Sequence, residues 1–232
     1  MMVDIFSSFD PFINYSYQTM SPMFWMLSFI TILFIHSSFW LAPNSILWLL
    51  SMPMDIMNTQ SSRTKGMNIK GFPSLIVSLF LLIISINMMG LLPYTFSISS
   101  HLIFTLVFGL PLWLALIISS ITYNPKSFTA SLLPSGAPDW LNPFLVLIES
   151  MSISFRPITL SFRLAANMSA GHIILGLIGI YTSSSLFISS MSFISLLSIQ
   201  ILYIIFEMGI CLIQAYIFCL LLTLYADEHT SD

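Results

Sequence analysis

Charged residues are what this chain most lacks. Its 232 residues include six Lys and Arg and nine Asp and Glu, so that 6% are charged while 57% are hydrophobic. Soluble domains average about 25% charged residues. The composition therefore indicates an integral membrane protein, and six cations are too few for a nucleic-acid-binding surface.

Cysteine is scarce as well. Cys211 and Cys219 share one apolar segment and lack the CxxC spacing of metal sites, so neither a disulfide nor a metal centre is expected, and no cofactor is predicted. The first cation is Arg63, so the positive start of a cleavable signal and the Arg-rich pattern of a transit peptide are both missing. We therefore expect insertion from inside the compartment in which the protein is made.

Long uncharged runs predict an all-α membrane protein with about five membrane helices and a short amphipathic surface helix. The first span is expected at residues 24–42. His36 within it is interpreted as an interface or hydrogen-bonded side chain. Residues 46–57 are too short to cross and are interrupted by Pro53, so they are predicted to lie along the membrane surface.

A basic loop follows at residues 58–71, and the positive-inside rule places it on the matrix or cytoplasmic side. The N-terminus is then expected on the opposite side. The alternative role for this loop is a contact with lipid or with a soluble head. Two further spans are predicted at about 73–92 and 101–121, joined by a polar turn at 93–100, and Lys126 returns the chain to the basic side.

The last two helices are predicted to be long. A Ser-, Pro- and Gly-rich loop at 127–142 precedes a helix that ends near residue 181, and a polar turn is expected at 182–185. Residues 186–225 then contain no proline, and about 40 residues in one helix would measure about 60 Å, twice the hydrocarbon core. These two stretches are predicted to form a strongly tilted hairpin.

We predict a single membrane domain over residues 1–232. Its parts are an N-terminal span with the surface helix, the basic loop, a helical hairpin and a long tilted hairpin that carries the functional groups: residues 1–57, 58–71, 72–126 and 142–226. No internal repeat is visible, which argues against an inverted-repeat transporter.

Residues 161–172 carry the strongest functional signal. Arg163 lies in an apolar stretch, where an arginine costs about 3 kcal/mol or more at bilayer depth and stays charged. Ala166, Asn167 and Ala170 share its helical face. Small residues around a cation let another helix come close, so we predict a contact surface with a fixed positive charge.

Three charges of this helix are spaced by seven residues: Glu149, Arg156 and Arg163. This spacing places them near one face, although Pro157 predicts a bend that loosens the alignment. Arg156 is a candidate partner for Glu149. His172 follows Arg163 by nine residues, about 900° of helical turn, so the two are expected on opposite faces and in separate cavities.

Glu207 is the only charge of the last helix. It belongs to a polar stripe along one helical face, formed by Gln200, Tyr203, Glu207, Cys211 and Gln214. The stripe predicts a water-lined path, and a structural ion pair between Glu207 and Arg163 is the alternative. A carboxyl group in apolar surroundings and a histidine can both exchange protons near neutral pH. The alternatives are a packed, neutral His172 and a plain interface charge at Glu149.

Two more polar residues lie near the ends of the predicted hairpin spans. Asn87 and His101 are candidates for lining a polar cavity. A helix-packing hydrogen bond is the alternative for Asn87, and a simple interface position for His101.

Residues 161–172, with their arginine, the Ala-Asn pair and the closing Ala-Gly-His, resemble the signature of subunit a of the F-type ATP synthase. Other parts of the signature fall in family order: residues 87–94 (NMMGLLPY), 109–113 (GLPLW), 133–138 (LPSGAP), and Glu207 followed by 213–216 (IQAY). The resemblance covers about residues 4–225. It is strongest to the mitochondrial version, because a histidine follows the arginine and a glutamate lies on the last helix.

The resemblance implies a stator channel that faces a rotating ring of c subunits, each with a carboxyl group at mid-membrane. Two laterally offset half-channels reach the ring from opposite sides. His172 and Glu207 match the inlet half-channel, Glu149 matches the outlet side, and Arg163 matches the essential arginine between them. Gln214 matches a position from which it can hold the arginine by hydrogen bonding.

The same resemblance implies that the chain has no catalytic activity of its own. Its expected location is the mitochondrial inner membrane, with the N-terminus on the intermembrane-space side and residues 58–71 on the matrix side. The c ring, other membrane-sector and peripheral-stalk subunits and the lipid bilayer are the expected partners. His172 favours proton over sodium coupling. Two other classes stay open: a transporter with an internal Arg–Glu gate, and a structural subunit of a respiratory complex.

Overall fold

The fold is all-helical in the part of the chain that the computed structural model describes, which is Phe9, Met26 and residues 45–92, 96–133, 139–187 and 189–227. Four helices in these ranges are long and apolar enough to cross a membrane. The predicted all-α membrane architecture is thus confirmed. Apart from Met26, the predicted first span at 24–42 lies outside the described residues, as does His36.

Six α-helices follow one another in the described ranges: α1 (Ser45–Ser62), α2 (Phe72–Gly90), α3 (Leu102–Tyr123), α4 (Pro125–Ser131), α5 (Asn142–Ser185) and α6 (Ser190–Asp227). Short 3-10 turns occur at Lys65–Asn68, Ile98–Ser100 and Asp139–Leu141. Helices α5 and α6 have 44 and 38 residues. Both are about twice as long as a perpendicular crossing needs, as predicted.

The surface helix predicted at 46–57 is longer in the structure. Helix α1 continues through Pro53 and ends at Ser62. Packing explains the extension, because α1 contacts α2 and buries Met57 and Ser61 almost completely.

Two predicted connections were also wrong in part. The loop expected at 127–142 begins with helix α4, because the Asn124 side chain accepts a hydrogen bond from the Ser127 N–H at 3.4 Å and Pro125 fits the first turn. The polar turn expected at 182–185 is the last turn of α5. Its hydroxyl groups are satisfied within the helix, since Thr182 donates to the Gly179 carbonyl at 2.8 Å.

Four cations define one end of the molecule, which we term the basic end: Arg63, Lys65, Lys70 and Lys126. The Lys65 N–H donates a 2.6 Å hydrogen bond to Asp227 Oδ1, so α6 ends there. The Arg156 guanidinium lies 5.2 Å from the centre of the Tyr225 ring, so α5 begins near the same end. Helices α2 and α5 therefore run away from the basic end, and α3 and α6 return to it.

The hydrophobic core lies between α2, α5 and the second half of α6. Leu160 and Leu164 of α5 meet Phe218 and Leu222 of α6 in this cluster. Before Glu207, α6 has no buried side chain. The described residues therefore leave most of the first half of α6 exposed, together with one face of α5.

Candidate functional site

The exposed face of α5 carries Arg163. Adjacent alanines mark the boundary of this face, because Ala166 is exposed whereas Ala165 is buried in contact with the rest of the chain. Leu164 and Met168 are also buried, on the side that packs against the other helices. Helix α5 therefore presents Arg163 outward with the predicted Ala166 and Ala170, whereas Asn167, predicted on the same face, is half-buried.

Arg163 forms no ion pair within the described residues, where Glu149 and Arg156 provide the salt bridge. The alternative reading of a structural ion pair between Arg163 and Glu207 is therefore wrong for this structure. An arginine on an uncovered membrane face needs a partner that the described part of the chain does not provide.

Glu207 lies in the interface between α5 and α6, on a face of α5 that is turned about 80° from Arg163, since Gly171 follows the arginine by eight residues. It is 1% exposed, and its Oε1 has no hydrogen-bond partner in the described part of the chain. Its carboxyl group packs so closely on Gly171 that a β-carbon at that position would overlap it. Tyr203, one turn earlier on α6, lies close enough to interact with the carboxyl group. Gly171 is thus the residue that admits Glu207 into the interface.

His172 follows Gly171 directly, and its Nε2 is buried without a hydrogen-bond partner among the described residues. The edge of the Phe9 ring contacts it, with 6.2 Å between the ring centres. Gly171, which the Glu207 carboxyl group contacts, is thus the direct neighbour in sequence of a second ionisable residue, His172. Arg163 is exposed on the outer face instead, which agrees with the predicted separation of arginine and histidine.

The second half of the α6 polar stripe faces α5, since Glu207 contacts Gly171 and Cys211 contacts Met168. Gln200 and Tyr203 are half-buried, whereas Glu207, Cys211 and Gln214 are buried. The Cys211 sulfur lies 3.5 Å from the Met168 sulfur in an apolar contact region. The stripe thus passes from a partly open section into a closed one.

Gln214 makes a contact that the sequence did not predict. Its Oε1 accepts a 3.0 Å hydrogen bond from Asn167 Nδ2, while its own amide nitrogen has no partner in the described ranges. The expected hydrogen bond from Gln214 to Arg163 does not occur, because Asn167, one turn after the arginine, occupies that position. Asn167 and Gln214 therefore connect the arginine-bearing part of α5 to α6.

Glu149 and Arg156 form the predicted pair near the basic end, with 3.3 Å between Glu149 Oε1 and Arg156 Nη2. Helix α5 continues through Pro157, so the seven-residue spacing keeps both side chains on one face. They line a cavity of about 260 Å³ together with Ser120 and Tyr225. Sequence spacing could not connect Ser120 and Tyr225 with Glu149, since they lie on α3 and at the end of α6.

Asn87 and His101 lie towards the end opposite the basic one. Asn87 is 0% exposed, and neither atom of its amide group has a hydrogen-bond partner within the described residues. It borders a very small cavity beside Thr105 and Leu164. His101 stacks on Phe96 with 5.2 Å between ring centres, and burial lowers the pKa of its imidazole below the usual 6.5. Asn87 is therefore the stronger candidate for a polar pathway.

No group of three metal-ligating side chains occurs in the ranges that the structure describes. The fold and this arrangement of side chains define a class: a polytopic helical membrane protein with an ionisable side chain, Glu207, buried between the two longest helices of the described ranges. Such groups are typical of membrane proteins that move ions or protons.

Comparisons with known proteins agree. The sequence matches the family model described as ATP synthase A chain over residues 19–227. Proteins named ATP synthase subunit a from Artemia franciscana, Locusta migratoria and Albinaria caerulea are 38%, 38% and 41% identical to this chain over 98%, 98% and 99% of its length. The matches cover 100%, 99% and 100% of those relatives. The chain belongs to the ATP synthase A chain family.

It is accordingly a non-catalytic, proton-translocating subunit of the membrane sector of ATP synthase, whose partners are other subunits of that complex. The chain is a mitochondrial membrane protein, because its helices are apolar enough to cross a membrane and its relatives are mitochondrial proteins.

Proposed function

We propose that the α5–α6 hairpin carries protons to and from a ring of c subunits. Arg163 separates the half-channel that delivers protons from the half-channel that releases them. The observation that carries this proposal is the division of α5 into two faces. Arg163 is exposed on one, and Glu207 is packed against the other at Gly171. A proton path can therefore run beside the rotor contact and reach the ring without passing through the arginine.

The inlet half-channel runs along the α5–α6 interface through His172 and Glu207. Its support is that Glu207 is buried in this interface, that His172 follows its contact residue Gly171 directly, and that Glu207 Oε1 and His172 Nε2 are buried without a hydrogen-bond partner in the described ranges. Buried polar atoms usually have partners, so such atoms are typical of sites that bind water or exchange protons. Gln200 and Tyr203 extend the path along α6, and Asn87 and His101 are further candidate lining residues.

The outlet half-channel opens at the basic end through the cavity beside Glu149. A volume of about 260 Å³ holds several water molecules, each of which occupies about 30 Å³ in the liquid. Glu149 passes protons to this water, and Arg156 holds its carboxylate in place. The two carboxyl groups thus serve opposite sides of the membrane.

Arg163 lies between the half-channels and faces the c-ring carboxyl groups. An incoming protonated carboxyl group must lose its proton before it passes the stator, and a fixed cation stabilises the carboxylate that results. Arginine keeps its charge when it is desolvated, whereas lysine can lose a proton and open a leak. Asn167 and Gln214, joined by their hydrogen bond, keep this part of α5 in place on α6.

The membrane potential then drives rotation, at about 2.3 kcal/mol per charge per 100 mV. We infer that the protein lies in the mitochondrial inner membrane as a single membrane domain over residues 1–232. The basic loop at 58–71 is on the matrix side and the N-terminus is on the intermembrane-space side. Besides the c ring, peripheral-stalk subunits are its proposed partners.

Disulfide crosslinking from adjacent alanines tests the rotor contact. In the intact complex, Ala166→Cys is expected to crosslink to a cysteine placed near the c-subunit carboxyl group. Ala165→Cys is the matched control, because Ala165 is the next residue but is buried. Equal crosslinking from both would contradict the division into two faces. No crosslink from Ala166, Asn167 or Ala170 would instead favour a transporter whose arginine has an internal partner.

Thiol labelling tests the shared inlet. Cysteines at His172 and Glu207 are expected to react with a membrane-impermeant reagent from the same side of the membrane. Labelling from opposite sides would separate the two residues and refute a common path.

A further inference from the structure

A groove between α2 and α3 lies outside the site described above. It forms because α2 packs mainly on α1 and α6, whereas α3 packs mainly on α5. Its volume is about 430 Å³, and its lining includes Leu75, Leu79 and Leu82 of α2 and Val107, Pro111 and Leu112 of α3.

The groove suits an apolar occupant. Its lining contains one polar side chain, Ser78, whose hydroxyl donates a 2.9 Å hydrogen bond to the Leu75 carbonyl of its own helix. No polar group of the lining is therefore left to bind a polar ligand or to hold water at membrane depth.

The position of the groove along α2 matches one leaflet of a bilayer. Leu75 and Leu82 lie about 5 and 15 Å along the helix from Phe72, at a rise of 1.5 Å per residue. One leaflet contributes about 15 Å of hydrocarbon, half of the 30 Å core. The groove thus begins just below the basic end and reaches about the middle of the membrane.

Exposed cations lie where α2 meets the basic end. Lys70 is separated from the first residue of α2 only by Gly71, and Arg63 and Lys65 precede it in the same loop. All three side chains are exposed and form no ion pair within the described residues. Positive charge therefore lies directly above an apolar groove of one-leaflet depth.

We propose that this groove binds one acyl chain of an anionic phospholipid from the basic-side leaflet, whose phosphate contacts Lys70 and its neighbours Arg63 and Lys65. Ammonium and guanidinium groups form strong charge-assisted hydrogen bonds to phosphate oxygens. The charges explain why the lipid is anionic, and the depth explains why an acyl chain fills the groove. This proposal does not depend on the proton path.

Photo-crosslinking in the intact complex identifies the occupant. A photoreactive residue replaces Val107, which is 60% exposed and lines the groove, in vesicles of phosphatidylcholine with a minor share of phosphatidylglycerol. The same probe at Ile103, one turn earlier, 76% exposed and not part of the lining, reports the bulk lipid. Phosphatidylglycerol adducts are expected to be enriched at Val107 relative to Ile103.

Removal of one charge tests the headgroup contact. Lys70→Gln is expected to lower the enrichment about fivefold, since a cation near an anionic membrane surface contributes about 1 kcal/mol. Lys126→Gln is the matched control at the same end of the molecule. It lies beyond the end of α3, and Leu112 is about 17 Å before that end at 1.5 Å per residue, so this variant should leave the ratio unchanged.

Two results would overturn the proposal. Equal lipid ratios at Val107 and Ile103 would make the groove an ordinary lipid contact. Polypeptide adducts at Val107, from residues 1–44 of this chain or from another subunit, would make it a helix-binding groove. Native gels and the lipid co-purified with each assembled variant, measured by mass spectrometry, exclude misassembly as the cause.

Discussion

The two glutamates of the α5–α6 hairpin occupy very different surroundings. Glu207 is 1% exposed, has no ion pair within the described residues and is packed on Gly171. Glu149 has a side chain that is 38% exposed, and it is paired with Arg156 at 3.3 Å beside an open cavity. The same chemical group is thus enclosed in one half of the hairpin and accessible in the other.

The difference shows what each environment can contribute to proton transfer. A buried carboxyl group without a counter-ion depends on packing for its position and responds strongly to any change of charge. A half-exposed, paired carboxyl group is stabilised by about 1 kcal/mol or less and is in contact with water. We therefore expect variants near Glu207 to have larger effects than variants near Glu149.

The largest effect is expected at the cation between the two regions. Arg163→Lys should reduce ATP synthesis to background, because a desolvated lysine can lose its proton and join the two half-channels. The loss of coupling is measured as ATP synthesis driven by an imposed proton gradient. The leak is measured as passive proton flow in the same vesicles. Arg63→Lys in the exposed basic loop is the control and should leave both unchanged. If Arg163→Lys retained coupled ATP synthesis, the proposal that this arginine separates the two half-channels would be contradicted.

Glu207→Gln should reduce proton entry by about a hundredfold or more, since a positioned acid or base contributes about 10²–10⁴-fold. Glutamine keeps the shape of the side chain and removes the group that exchanges protons. Glu149→Gln should reduce transport less, since water in the cavity can reach the rotor without it. Proton uptake into vesicles measures both rates. Loss of the assembled complex in Glu207→Gln on native gels would indicate a structural role instead.

Gly171→Ala sharpens the comparison without changing any charge. The added methyl group overlaps the Glu207 carboxyl group, so either the carboxyl group or the helix must move. Overpacking costs about 1–3 kcal/mol, and the cost here is at the low end because the carboxyl group is the end of a side chain that can shift. We expect lower thermal stability of the complex and slower proton entry. Gly176→Ala, on the same helix with open space around the new methyl group, should have neither effect. Equal effects of both variants would attribute the loss to the helix backbone.

Arg156→Gln should have the smallest effect. It removes a partly exposed ion pair and the contact with the Tyr225 ring, which together are worth about 1 kcal/mol. A shift of a few degrees in thermal unfolding is expected, with proton exit largely retained. A loss of proton transport as large as that of Glu207→Gln would contradict the conclusion that the enclosed Glu207 region is more sensitive than the accessible Glu149 region.

Much of the architecture was predictable from local patterns. The uncharged runs predicted the membrane helices, and the absence of proline after residue 181 predicted the length of α6. Errors occurred at the connections, where α4 replaced part of a loop and residues 182–185 continued α5. There a side-chain cap and hydroxyl bonds to the helix backbone outweighed a composition typical of loops.

The candidate site was predictable only in part. Helical spacing predicted that Glu149 and Arg156 lie on one face and that Arg163 and His172 lie on different ones. It did not predict the hydrogen bond between Asn167 and Gln214, 47 residues apart. Nor did it associate Tyr225 with Arg156, because the two lie on different helices.

Composition and periodicity alone determined that this is a helical membrane protein with a few ionisable groups at membrane depth, because hydrocarbon excludes charge and unpaired backbone. Only the tertiary structure decided which of these groups meet. The rotation and tilt of each helix result from packing against its neighbours, and a small rotation exchanges a buried position for an exposed one. That packing buried Ala165 and exposed Ala166, and it brought Glu207 onto Gly171.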